Sequence, residues 1–213
     1  MDTTPPAVPP PPYPVSFDVE RQLSGRNRLT TAFRLILAFP HLALVGGAGI
    51  GLNWGSSPGG ALGTAAFVMA VFAWFAIIFA SVHPRGFWDF GAFYMRWRAR
   101  AVPYVMLLRD EYPPFEDDVA YPTTFAVDRP TGPRDRLSVG LRIIYAIPHI
   151  VVLIFLNIAW LVTSIIAWFA ILFTGRYPAG LYEFAVGVMR WDVRVETYLL
   201  LMRDEYPPFR LSP

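Results

Sequence analysis

The side chains best suited to chemistry are two histidines. His41 and His149 each follow a proline inside an apolar stretch. Proline removes the helical donor for the carbonyl four residues earlier, Ile36 or Ile144, and so kinks a helix there. A polar ring at membrane depth is a functional suspect. Three readings stand: packing against a backbone carbonyl or neighbouring helix, contact with a small molecule or ion, or bis-imidazole haem ligation about a common axis. With no cysteine in the chain and no haem-attachment motif, packing is the main expectation. Arg34 and Arg142 stand seven residues before these histidines, about 10 Å lower on a helix. They are expected to snorkel to headgroups or to hold an anionic lipid phosphate between helices. Arg34, His41, Arg142 and His149 are thus the candidate lipid or ligand contacts. The acids Asp110, Glu111, Asp204 and Glu205 each stand near an arginine, which points to surface pairing rather than acid–base catalysis. No Ser–His–acid set is suggested. The expectation is a non-enzymatic chain with no catalytic residue, metal or cofactor.

Those acids belong to a phrase written twice, "RDEYPPF" at 109–115 and again at 203–209, an offset of 94. The match runs back through "MRW" (Met95, Met189), Tyr104/Tyr198 and Trp74/Trp168. The front halves match at an offset of 108: Phe17/Phe125, Arg26/Arg134, Arg34/Arg142 and Pro40-His41/Pro148-His149. The 14-residue difference falls in "VGGAGIGLNWGSSPGGALG". The chain therefore reads as a tandem repeat, with repeat 1 over 13–118 and repeat 2 over 119–213, and a glycine-rich insertion in the first. That insertion is read as a flexible loop rather than a nucleotide-binding turn, since no strand–turn–helix surrounds it. Residues 1–12, "MDTTPPAVPPPP", are expected to be a disordered Pro-rich tail.

Composition decides the broad class. Hydrophobic residues make up 54% and charged residues only 16%, against about 25% charged in soluble domains. The net charge of +2 is too small to suggest nucleic acid. Four apolar stretches are expected to be membrane arms: Leu35 to Ile50, Leu62 to Val82, Ile143 to about Leu156, and about Ile158 to Phe173. A span takes about 20 residues, so the 32 uncharged residues from Ile143 to Thr174 are tight for two crossings. Either the hairpins are thin spans, the favoured reading, or they are wedges dipping partway into the bilayer. Charges of both signs avoid the tips at 46–63 and around Asn157. The positive-inside rule then puts the charged face and both termini in the cytoplasm. The two copies would be related by a pseudo-two-fold axis along the membrane normal.

The remaining elements make a cytoplasmic layer. Phe184, Val188, Trp191, Val195 and Tyr198 recur at helical spacing, which predicts an amphipathic interfacial helix after each hairpin. Pro103 is expected to bend the first of these, and Tyr-Pro-Pro to stop both. "YPVSFDVER" and "YPTTFAVDR" alternate like short strands. The phrase residues Arg109, Asp110, Glu111, Tyr112 and Phe115, with Arg203, Asp204, Glu205, Tyr206 and Phe209, are expected to be structural or docking corners.

The pattern "YPxxF", "RxRLxxxxRxxxxxPH", two apolar arms and "MRWxxRVxxYxxLxxDEYPPF" resembles an uncharacterised bacterial membrane family, domain of unknown function 4389, over about 13–115 and 121–209. The resemblance supports the membrane reading and brings no activity. The first copy departs from the pattern at Arg98-Ala99 and Pro103, where the second has Asp192-Val193 and Thr197. The resulting expectation is an all-α bacterial inner-membrane protein, multi-pass, with four transmembrane helices in two tandem hairpins, amphipathic interfacial helices and short cytoplasmic β-strands. Its expected role is a scaffold or accessory subunit that binds membrane lipids, a protein partner or a second copy of itself. The alternatives are a small ligand-binding or transport protein using the His41/His149 axis, and a membrane-shaping hairpin wedge.

Overall fold

The computed structural model describes residues 13–49, 59–117 and 119–213. The Pro-rich tail and most of the glycine-rich insertion lie outside the described residues. Strand β1 (Val15–Val19) leads to α1 (Arg28–Ala32), α2 (Arg34–Val45), α3 (Gly60–Ala80) and α4 (Arg85–Val105). The second copy repeats the order as β2 (Thr123–Val127), α5 (Arg136–Gly140), α6 (Arg142–Thr174) and α7 (Ala179–Leu199). The short helices α1 and α5 start at equivalent caps, where the Asn27 and Asp135 side chains accept two backbone N–H groups each.

The second copy corrects the hairpin expectation. No turn occurs near Asn157: α6 is one helix of 33 residues. Between Pro148 and Gly175 the sequence has no glycine or proline to stop it, and the Asn157 amide donates back to the Leu153 carbonyl at 2.9 Å instead of turning the chain. The helix ends where Gly175 adopts φ 69°. The first copy holds the same element cut in two. Its α2 and α3, of 12 and 21 residues, together occupy the repeat positions of α6. The chain leaves at Gly46 and returns at Gly60, beside where it left. A Cβ on Gly60 would stand 2.3 Å from the backbone of Leu44, and its φ is 66°, so only glycine lets α3 begin there. Each copy is one long apolar helix, α2–α3 or α6, with α4 or α7 packed back along it.

The copies exchange equivalent contacts across a pseudo-two-fold axis. β1 and β2 pair antiparallel with Phe17 opposite its own counterpart Phe125, so the axis passes between those residues, normal to the sheet. Trp74 of α3 donates to the Val139 carbonyl of the other copy at 3.1 Å, and Trp168 of α6 donates to that of Thr31 at 2.9 Å. Arg26 N bonds the Gly175 carbonyl, and Arg134 N bonds that of Ser81. The start of each long helix thus lies beside the end of the other, and the two run antiparallel, across the axis.

The expected interfacial helices are instead the core. Every residue of α7 from Ala185 to Tyr198 except Arg190 is buried. One side of α7 meets α6. Another meets β1, where Arg190 bonds the Phe17 carbonyl and Asp18. Pro103 lies within α4, and both α4 and α7 end, at Val105 and Leu199, before Tyr-Pro-Pro is reached, so that motif does not stop them. The long helices bury only one stripe. In α6 this is Arg142, Ala146, His149, Leu153, Trp160, Ser164, Ala167 and Ile171, a seven-residue period. Their outer faces, including Leu35, Ile36, Phe39, Phe72, Phe155, Ile158 and Leu161, are exposed. Among the described residues, α3 and α6 are long and apolar enough to cross a membrane, and α2 is a shorter apolar helix.

Candidate functional site

The repeated words of the sequence meet in one place in each copy. Past the end of α4 the chain turns through Leu107 at φ 64°, and past α7 through Leu201 at φ 60°. A left-handed leucine costs about 1–2 kcal/mol, and an arginine holds each turn. Arg26 donates to the Leu107 carbonyl at 2.5 Å and Arg134 to that of Leu201 at 2.7 Å. The phrase follows at once. Asp110 accepts from Arg26 (2.9 and 3.1 Å), from Arg34 (2.6 Å) and from the Asn27 amide (2.8 Å). Asp204 accepts from Arg134 (2.7 Å, twice) and Arg142 (2.6 Å). Arg109 bonds Glu111 and the Glu20 carbonyl, and Arg203 bonds Glu205 and the Asp128 carbonyl.

Arg34 and Arg142 are therefore not headgroup snorkels. Each is 2% exposed, donates to a corner carbonyl (Arg109 at 2.9 Å, Arg203 at 2.5 Å) and lies about 4 Å over a tyrosine ring, Tyr104 or Tyr198. The Asp partner neutralises each guanidinium, which permits burial. Burial alone would raise the Asp110 carboxyl, but the Asn27 amide and the two guanidiniums outweigh it and hold the group below its usual range. The same balance, through Arg134 and Arg142, lowers Asp204.

The histidines complete the box. Phe115 stacks on His41 with ring centroids 4.6 Å apart, and Phe209 stacks on His149 at 3.9 Å. Tyr112 and Tyr206 cover the same rings. The "MRW" tryptophans point inward: Trp97 donates to His41 Nδ1 at 3.1 Å and Trp191 to His149 Nδ1 at 3.0 Å. With Nδ1 accepting, the ring proton is on Nε2. Each imidazole is enclosed by its own copy, so the common axis envisaged for a bis-imidazole ligand is not formed. Each box joins the histidine, tryptophan and phrase aromatics into one aromatic cluster beside an arginine–aspartate pair.

A second polar centre was missed by the sequence reading. Where α4 and α7 cross near the axis, Arg98 pairs with Glu196 at 2.7 Å, and Tyr94 OH donates to Glu196 at 2.8 Å. Arg98 also donates to the carbonyls of Val45, Gly47 and Gly49, closing the mouth of the insertion. Asn157 donates to Asp192 at 3.0 Å. Arg98 and Asp192 are repeat equivalents. One of the two places where the first copy departs from the family pattern, Arg98, is where it pairs with Glu196 of the second copy, and that departure is the signal the sequence offers.

Asp192 gives a pH test. Burial pushes its carboxyl from the ordinary 3.8 up to about 7, against the opposing Asn157 hydrogen bond. The folded chain thus holds a proton that the unfolded chain has lost. The associated stability is complete below the unfolded value and falls away as pH rises through about 7. Asp192→Asn should remove this dependence while keeping an oxygen acceptor for Asn157. The variant's melting temperature relative to wild type should gain about 10 °C between pH 4 and pH 8, following from about 4 kcal/mol. A gap that does not change with pH would show that Asp192 carries no such proton.

Comparison with known proteins adds one finding. The family model described as domain of unknown function (DUF4389) matches residues 59–116 and 136–210, once in each copy. The first match begins where the insertion ends. No curated protein and no solved structure matches the chain.

Proposed function

The chain belongs to the DUF4389 family as two tandem copies of its domain, and from that premise we propose that it is a non-enzymatic membrane protein lying in the plane of one leaflet. In this reading it organises or shapes the bilayer through the outer faces of α2, α3 and α6. The observation that carries it is the pairing of two opposed faces. The antiparallel long helices present exposed aliphatic and aromatic side chains on one side, and α4, α7 and the sheet stand behind them with Asp18, Glu20, Asp89 and Glu183 exposed. Within α2, α3 and α6 the only charged residues are Arg34 and Arg142, both turned inward.

A spanning orientation fits this arrangement less well. At about 1.5 Å per residue, α6 is about 50 Å long against a hydrocarbon core of about 30 Å. Standing it upright would also carry the two open sheet edges and the charges of α7 to hydrocarbon depth, where unpaired backbone is not tolerated. With the helices in plane, the pseudo-two-fold axis lies along the membrane normal and both copies meet the bilayer alike.

The chain has no cysteine, which makes the test direct. Gly132 and Gly180 flank the two ends of α6, and a Cβ at either meets only open space. Single variants Gly132→Cys and Gly180→Cys in sealed inverted and right-side-out vesicles should both react with an impermeant maleimide from the same side. Labelling from opposite sides would establish that α6 crosses and would overturn the in-plane reading.

A further inference from the structure

We infer that the groove between α2 and the second half of α6 holds the acyl chain of an anionic phospholipid, with its phosphate on Arg28 and Arg176. The inference rests on the in-plane reading and deepens it. The groove encloses about 900 Å³ and is lined mainly by apolar side chains, among them Phe33, Ile36, Leu42, Leu161, Ile165 and Phe169. Of these, Phe33, Ile36, Leu161, Ile165 and Phe169 are themselves exposed. It is thus continuous with the face proposed to meet lipid. Ala48, from the described start of the insertion, and Asn157 close its inner end. From Phe169 to Asn157 the α6 wall runs about 18 Å, roughly the length of an extended acyl chain.

The charge sits at the other end. Arg28, at the start of α1, and Arg176, just past α6, are both exposed, and neither has an ion-pair partner among the described residues. Arg28 lies against Gly175: a Cβ there would be 3.5 Å from its Nε. The two side chains therefore come from neighbouring points of one corner. Leu29 and Phe173 beside them are 70% and 76% exposed. Two cations rimmed by large apolar side chains suit a phosphate at the bilayer surface. About 9 Å along from Arg28, Arg34 lines the groove. Its Nε is buried with no partner among the described residues. A neutral lipid would leave the corner cations unmatched, and a free phosphate would leave the groove empty.

The test uses the full chain bound to phosphatidylcholine vesicles, with or without a minority of phosphatidylglycerol. Vesicle flotation is read first. The chain is then extracted in mild detergent, and retained lipid per chain is measured by mass spectrometry. Wild type should float and retain phosphatidylglycerol in preference to phosphatidylcholine. Arg28→Gln with Arg176→Gln should weaken phosphatidylglycerol retention about 30-fold, which is about 2 kcal/mol, and abolish the preference. Leu161→Trp, which fills the groove from an exposed position, should lose both lipids while still floating. Arg85→Gln with Arg136→Gln, at the opposite corner, should change neither. Unaltered retention in the Arg28/Arg176 variant, or equal loss in the Arg85/Arg136 variant, overturns the site. A wild type that floats yet retains no lipid overturns the groove alone, whereas one that does not float overturns the leaflet reading beneath it.

Discussion

Asp204→Asn is expected to destabilise the protein more than removal of either ring of the same corner. Asp204 is the shared acceptor for two buried guanidiniums, Arg134 at 6% and Arg142 at 2% exposure. Neutralising it leaves both charges in the interior with carbonyls as their remaining acceptors, a loss of about 3–5 kcal/mol. Phe209 and Tyr206 are about half exposed. Truncating either forfeits part of an aromatic contact with His149, on the order of 1–2 kcal/mol. Thermal melts in detergent should therefore rank Asp204→Asn below Phe209→Ala and Tyr206→Ala, with Asp110→Asn behaving alike in the first copy. The phrase alone suggests the opposite order, because an aspartate beside an arginine at a helix end reads as a surface charge worth about 0–1 kcal/mol. The pH dependence is also opposite to that of Asp192. Lowered folded values mean that the corners stabilise the chain above the ordinary carboxylate range and release it as pH falls through the folded value. A Phe209→Ala protein that melts below Asp204→Asn would show that the rings, rather than the shared carboxylate, hold the corner.

Glu196→Leu is expected to be the most damaging change at the axis, and Arg98→Met is expected to relieve it. Glu196 is fully buried and is the acidic partner of Arg98 at 2.7 Å. Removing it leaves a buried guanidinium with carbonyl oxygens as its remaining hydrogen-bond acceptors, a cost of about 3–5 kcal/mol. With Arg98 also replaced, the interior holds two apolar side chains of similar volume. The double variant should melt well above Glu196→Leu alone, with a coupling energy of about 2 kcal/mol. Recovery will be incomplete, because Arg98 also satisfies the carbonyls of Val45, Gly47 and Gly49. Additive losses in the two single variants would mean that the pair does not act as a unit.

Much of the corner is legible in the sequence. The repeated phrase, the paired histidines and the arginines seven residues earlier all stand out, because polar words written twice in an apolar chain need a reason. Their joining was not legible. His41 and Phe115 are far apart in the chain, and nothing local says that a "PH" ring stacks on a "PPF" ring or that an "MRW" indole donates to it. The strands were visible in their alternation, and Val15, Phe17 and Val19 are the buried face of β1. The second hairpin failed for a specific reason. An uncharged run without glycine or proline is compatible with one long helix or with two short arms, and nothing local tells a hairpin tip at Asn157 from the partly buried contact with Asp192 that it makes.

The sequence by itself determined the duplication, the apolar character, the sites of the corners and the place where the copies differ. Each is written in residue identity at fixed offsets and needs no neighbour to be read. Tertiary structure alone decided that α6 runs unbroken, that α4 and α7 are core rather than interfacial, and that Arg34 and Arg142 turn inward to aspartates. The physical reason is that amphipathic spacing marks the stripe a helix will bury without saying what covers its other faces. An arginine at a helix end is equally stable in water or against a carboxylate. Only the antiparallel exchange across the axis, which brings β1 onto α7 and Arg98 onto Glu196, removes the water and makes that choice.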